Sequence, residues 1–274
     1  MEPRPISKSV GIIGQCLLCR QEAELQDSHF IPKAAYKLIR GKGTNPHPLV
    51  VQPGKVVQTS AQTRAHLLCH ECKQRLYHQG EDTFFRYCYR GPGKFRLLNM
   101  LRAHTPLLDN DQFAAYVVPD SETSLIEQIG YMGLSILWKS AAHGWRDGDS
   151  TLPSISLGSP YQEQVRQYLL NAGPFPEHGA MVVEASDENN RLIAMIGTPA
   201  TLKLPKHYLH WIDISGIRFN LLMGARLTPQ MKELSVFRHG QRCVLVAKQQ
   251  EAMLANDYLE HLKALAGRVA IGQK

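Results

Sequence analysis

Apolar residues recur at helical spacing from Ser121 to Ala142, where Leu125, Ile129, Met132 and Ile136 fall on one face of a predicted long helix. A shorter helix is predicted from Pro32 to Arg40, with proline in its first turn and Gly41 placed to end it. Another starts near Cys69 and continues through Leu76. Ser159, Pro160 and Gln162 read as the N-cap, N1 and N3 positions of a capping box, opening a helix that ends at Gly173. A last helix is predicted over Gln250 to Ala266, with Leu254, Tyr258, Leu262 and Leu265 on one face. From Ala180 to Lys248 the pattern changes to short apolar runs: Met181 to Val183, Leu192 to Ile196, Leu209 to Ile214, Ile217 to Met223 and Cys243 to Ala247. Turns at Asn189-Asn190 and Ser215-Gly216 make most of these antiparallel candidates. Residues 41–60 read as a loop or hairpin, Gly91-Pro92-Gly93 as a breaker, and Gly144 to Leu157 as a polar connector. The fold class is α+β. The organisation is an N-terminal module over 1–104 and a mixed helix and antiparallel-strand domain over 105–274, with a linker near 144–158.

Composition narrows the class. The chain has 274 residues, 43% hydrophobic and 20% charged, enough to bury a core without disulfides. No run approaches the ~18 apolar residues of a membrane span, and Met1 to Gln15 lacks the apolar core of a signal peptide. A cytoplasmic protein with no membrane partner is expected. The formal charge of +7 is unevenly placed: residues 1–104 carry 16 Lys and Arg against 7 Asp and Glu, and residues 105–274 carry 15 against 17. A basic N-terminal half attracts polyanions, of which nucleic acid, DNA first, is the commonest. The alternative is a solvated basic surface.

Cys16-x-x-Cys19 and Cys69-x-x-Cys72 are two knuckles of the kind that supply two corners each of a tetrahedral zinc site. Four thiolates leave no open coordination position, so such an ion is structural and contributes folding free energy. The alternatives are buried free thiols or a redox pair. Cys88 and Cys243 lack partners at ligand spacing and read as core residues.

Between the knuckles stands Asp27-Ser28-His29-Phe30-Ile31-Pro32-Lys33, followed later by Leu67-Leu68-Cys69 and by Gly80-Glu81. This order resembles an HNH-type endonuclease module, and more closely a bacterial group with the pattern SHxIPK, LLCxxC and Gly-Glu. Leu134 to Ser140 resembles, more weakly, that group's helix ending in a Trp-Arg pair. The resemblance covers about 16 to 86 and implies a zinc-braced ββα-metal, treble-clef-type core. It implies phosphodiester cleavage with His29 as general base, a divalent ion such as Mg2+ or Mn2+, and a setting in defence against foreign DNA. Lys33 and Lys37 would meet phosphates from the helix after His29, joined by Lys73, Arg75, Arg86 and Arg90. Two positions depart from the family: Ser28 stands where an acidic ligand is usual, and Lys73 where a metal-binding side chain is usual. Asp27, His78 and Glu81 are the residues left to supply a rearranged site. The competing reading is a catalytically degenerate module that binds nucleic acid or a protein partner, the latter through residues 105–274. For His29 itself the alternative is a histidine that orders the loop before Pro32.

Arg86-Tyr87-Cys88-Tyr89-Arg90 with Lys94-Phe95-Arg96 interleaves aromatics and cations. That suits base stacking, or a strand with aromatics in the core. Trp138, Trp145 and Trp211 read as core or interface residues. His207 and His210 lack the company of other ligands. No G-x-S-x-G, P-loop or dinucleotide fingerprint is present.

Overall fold

The computed structural model describes residues 11–40, 49–52, 55–58, 61–88, 95–147, 150–152, 154–186, 195–238 and 242–248. Strand β1 (Ile13–Gln15) pairs antiparallel with β2 (Glu22–His29), and the chain between them folds back as a tight knuckle. Arg20 N donates to Cys16 O at 2.8 Å, Cys16 N donates to Gln21 O at 2.9 Å, and Arg20 sits in the left-handed region at φ 64°. After α1 (Lys33–Leu38) and a hairpin of β3 (Leu49–Gln52) and β4 (Lys55–Gln58), β5 (Arg64–Cys69) returns to pair with β2. The result is a three-stranded sheet ordered β1-β2-β5, with a bulge between Gln26 and Asp27.

Helix α2 (His70–Leu76) leaves β5 without a loop. It runs through Leu76 as expected and then continues without a break through a π-helical turn, Tyr77–Glu81, into α3 (Asp82–Tyr87). Arg86 and Tyr87 are therefore helical rather than on a strand. Gly80 explains the local packing: a Cβ there would lie 2.8 Å from the backbone N of Met132, so only glycine lets the two helices approach this closely. Next come α4 (Arg96–Arg102), β6 (Leu108–Asp109), β7 (Phe113–Val117) and, after a 3-10 turn, α5 (Thr123–Ala142). The predicted one-sided stripe on α5 understates its burial, because every residue from Ile129 to Ser140 is buried. A helix apolar all round belongs at the centre of a core. It packs against the π-helical turn on one side and strands of a larger sheet on another.

Beyond α5 lie β8 (Arg146–Asp147) and β9 (Ser150–Thr151), then α6 (Ser159–Leu169). Helix α6 starts one residue earlier than the capping pattern suggests. Gly158, at φ 74°, is its N-cap, so Ser159 makes no capping bond. Asn171 at φ 56° turns the chain away well before Gly173. Strand β10 (Gly179–Ser186) is buried on both faces. Then follow β11 (Ala200–Lys203), β12 (Tyr208–Ile214), β13 (Ile217–Met223), α7 (Pro229–Glu233) and β14 (Cys243–Ala247). Ser215 and Gly216, both at positive φ, form the two-residue turn between β12 and β13. The seven-stranded sheet runs β11-β12-β13-β10-β14-β7-β6, and among the described residues β10–β14 is its one parallel pair. Ile196 reaches this sheet as an isolated bridge to Ile214.

The architecture is mixed α+β. A single buried apolar cluster runs from Cys16 and Phe30 through α5 to β13 and β14, and segment 144–158 contributes Trp145, Ile155 and Leu157 to it. Among the described residues no helix is long and apolar enough to cross a membrane. The predicted helix at 250–266, the turn at Asn189-Asn190, most of the strand at 192–196, Gly91 to Gly93, Tyr89, Arg90 and Lys94 lie outside the described residues.

Candidate metal centre and adjoining histidine site

The knuckle and the start of α2 bring four sulfurs together. Cys16 and Cys19 sit on the turn after β1. Cys69 ends β5, and Cys72 lies in the first turn of α2. Leu17 N donates to Leu67 O at 2.9 Å, stitching the knuckle to β5. All four ligand atoms lie within 4.8 Å of one another. Metal–sulfur bonds of about 2.3 Å in a tetrahedron require sulfur–sulfur edges of about 3.8 Å. The Sγ atoms of Cys19 and Cys69 are 3.8 Å apart. These thiols can hold a metal ion such as zinc.

Their electrostatics agree. The Cys16 thiol is pulled down to about 4, first by the Cys72 thiol and then, against burial, by the N–H groups of Cys19, Cys69 and Leu18. Cys69 is pushed up to about 11 by burial, and Cys72 is pushed up by its bond to Cys16 and by burial. One thiolate is stable in this company, and a cation is what lets the others ionise. Outside the cluster, Arg166 of α6 donates to Leu18 O. The same guanidinium is bound to Glu163, which also receives Arg20 from the knuckle. Arg166 in particular holds the Glu163 carboxyl down to about 2. The knuckle is thus tied to α6 as well as to β5.

His29 ends β2, two residues after the bulge, and stands opposite Arg64 in the register of β5. Burial, with Arg64, Lys73 and Lys33 nearby, holds its imidazole below the usual range, against the pull of Asp27. Lys73 does not project freely from α2. Its ammonium donates to Asp27 O at 2.9 Å, bracing the strand end. The Asp27 carboxylate takes a 2.8 Å bond from Arg64. Ser28 is buried, its hydroxyl turned back to Gln26 O at 3.1 Å across the bulge.

Lys139, an addition to the residues expected at this site, is 3% exposed on α5 and donates to His29 O at 3.2 Å. Burial lowers its pKa, and nearby Glu81 opposes that shift. Glu81 follows Gly80 on the π-helical turn, and burial raises its carboxyl while Lys139 and Lys73 counter. The sequence signals for Lys139 are a lysine directly after the apolar run Ile136-Leu137-Trp138 and the weak resemblance of Leu134 to Ser140 to a helix ending in a Trp-Arg pair.

The other expected residues lie apart. His78 is exposed, edge-on to Tyr77 at 5.1 Å. Lys33 and Lys37 are exposed on α1, Arg75 is half-buried on α2, and Arg86 is exposed and paired with Asp82. Among the described residues the four cysteines are the only group of three or more Cys, His, Asp or Glu side chains that could hold an ion. Asp27, His29, His78 and Glu81 therefore do not gather as ligands for a second metal. Instead, cationic side chains surround the end of β2.

No protein-family model, curated protein or solved structure matches the chain.

Proposed function

We propose that this is an HNH-like, zinc-braced protein that acts on nucleic acid, with DNA as its first substrate class and His29 as the base of a phosphodiester hydrolysis. The observation that carries the reading is the setting of His29. It is an imidazole whose protonation burial disfavours, at a strand end fixed by Lys73 and Lys139, with Arg64 and Lys33 around it. A neutral imidazole can take a proton from a water as that oxygen attacks phosphorus. Surrounding cations favour the added charge on the phosphate. The four cysteines would hold zinc as a structural ion, far from the role of reactant. The donors for a catalytic magnesium or manganese do not converge, so no step is routed through such an ion. A setting in bacterial defence against foreign DNA belongs to the same reading.

A second reading, a zinc-braced module that binds nucleic acid or a protein partner without cleaving, is favoured by Ser28 and Lys73. One is turned inward and the other spent on a backbone carbonyl, where the family places metal ligands. Cleavage of supercoiled plasmid separates the two. Wild type and His29→Ala, matched for bound zinc, are compared with chelator, with magnesium and with manganese. Nicking by wild type alone supports hydrolysis at His29. Nicking by neither, with DNA still bound, supports the binding module.

A further inference from the structure

A groove of about 450 Å³ opens beside the end of β2, lined by Asp27, the stretch from Gln62 to His66, and Arg146. Among the described residues its one carboxylate, Asp27, is engaged by Arg64, which leaves Arg146 as the cation without an acidic partner. Arg146 is exposed and makes no ion pair among the described residues. Its position is nevertheless built. The preceding Trp145 is buried with its ring 4.7 Å from that of Phe30, the residue after His29. The Trp145 indole donates to Lys139 O at 2.9 Å, and its own carbonyl accepts from Leu152 N at 2.9 Å. Arg146 is therefore held next to a tryptophan fixed by Phe30 and by the main chain of Lys139, the residue whose side chain bonds His29 O.

We infer that this groove is the track for a nucleic-acid sugar–phosphate backbone, with Arg146 meeting a phosphate. The inference rests on the nucleic-acid reading above and names the surface that would serve it. Arginine suits the task because its planar fork matches phosphate oxygens. Contacts to phosphates carry no base information, so binding through the groove is indifferent to sequence.

The test is fluorescence anisotropy of a labelled mixed-sequence DNA duplex, titrated with full-length protein at several salt concentrations. Wild type, Arg146→Ala, Arg146→Lys and Arg226→Ala are compared, the last an exposed arginine outside the groove. Loss of one phosphate contact lowers the slope of log affinity against log salt by about 0.9. Arg146→Ala is expected to show that change with affinity down roughly three- to tenfold at low salt. Arg146→Lys keeps the wild-type slope, and Arg226→Ala leaves both quantities unchanged. A wild-type slope in Arg146→Ala, or equal losses in Arg146→Ala and Arg226→Ala, would overturn the groove while leaving nucleic-acid binding standing. A wild type that does not bind the duplex at all would overturn the nucleic-acid reading and the groove with it.

Discussion

The ammonium of Lys139 lies 3.2 Å from the main-chain oxygen of His29, joining the most buried helix to a strand end 110 positions earlier. Burying a lysine is costly unless its charge is compensated, and here Glu81 is the nearby countercharge. In Lys139→Met the lost bond leaves a carbonyl unsatisfied, at about 1–3 kcal/mol. Relief of the buried charge offsets part of that. The expected outcome is a small change in unfolding free energy with a local loosening: amide exchange at Phe30, whose N–H donates to Thr63 O, accelerates while bound zinc is unchanged. Unchanged exchange at Phe30 would contradict this role.

The cysteine cluster should behave as one unit. Cys19 is only half-buried, so Cys19→Ser tests coordination with little repacking. The variant is expected to lose its zinc, measured by elemental analysis. Because the cluster belongs to the common core, the melting temperature of the whole protein should fall. For a chain of this size each lost kcal/mol lowers it by about 2–4 °C, and a structural zinc site contributes several. A variant that keeps full zinc would remove Cys19 from the ligand set.

Much of this was legible in the chain. The two CxxC pairs announced the four-cysteine cluster, because a soft tetrahedral ion restricts ligands to few spacings. Ser215-Gly216 announced the β12–β13 turn, because residues that tolerate positive φ are few. Other features left weaker marks. Strand β7, Phe-Ala-Ala-Tyr-Val, is too short and too rich in alanine for its period to stand out. Tyr77 to Glu81 reads as polar, so the continuation of α2 through a π-helical turn depends on the packing of Gly80 against Met132. Lys139 and Arg146 acquire meaning only when tertiary structure places the one at the His29 carbonyl and the other in a groove with Asp27 and Arg64, since a lone cation in sequence carries no direction.

Gly80 offers a direct test of that packing. A methyl group would press on the Met132 backbone at 2.8 to 2.9 Å, and backbone cannot rotate aside. Gly80→Ala is expected to destabilise by about 1–3 kcal/mol despite the better helix propensity of alanine. Gly144→Ala, with nothing within 4 Å of the added carbon, should be near neutral. Urea unfolding of both variants measures the difference. Equal stabilities would mean that the two helices separate easily.

His210 predicts the acid side of the stability profile. It is 1% exposed, bonded through Nδ1 to Thr201 Oγ1 at 2.8 Å, and burial lowers its pKa to about 4. Below pH ~6.5 the unfolded chain takes up a proton that the folded chain refuses. Stability therefore falls as pH drops from about 6.5 to about 4, by up to roughly 3 kcal/mol from this residue. In His210→Gln that part of the slope should vanish, as read from urea midpoints at pH 7 and pH 4.5. An unaltered slope would assign the acid sensitivity to other groups.

The order of strands in the large sheet bears on how the chain is made. Among the described residues β14 is the only link between β10 and the β7–β6 hairpin, and its residues are 243–247. On a ribosome, which releases the N-terminal side first, the sheet exists as two separate pieces until that strand emerges. Until then one side of β10 and one side of β7 present unpaired backbone, the kind of edge that recruits strands from other chains. Any chain stopped short of residue 243 keeps both edges open, so incomplete copies of this protein are the ones that should demand chaperones.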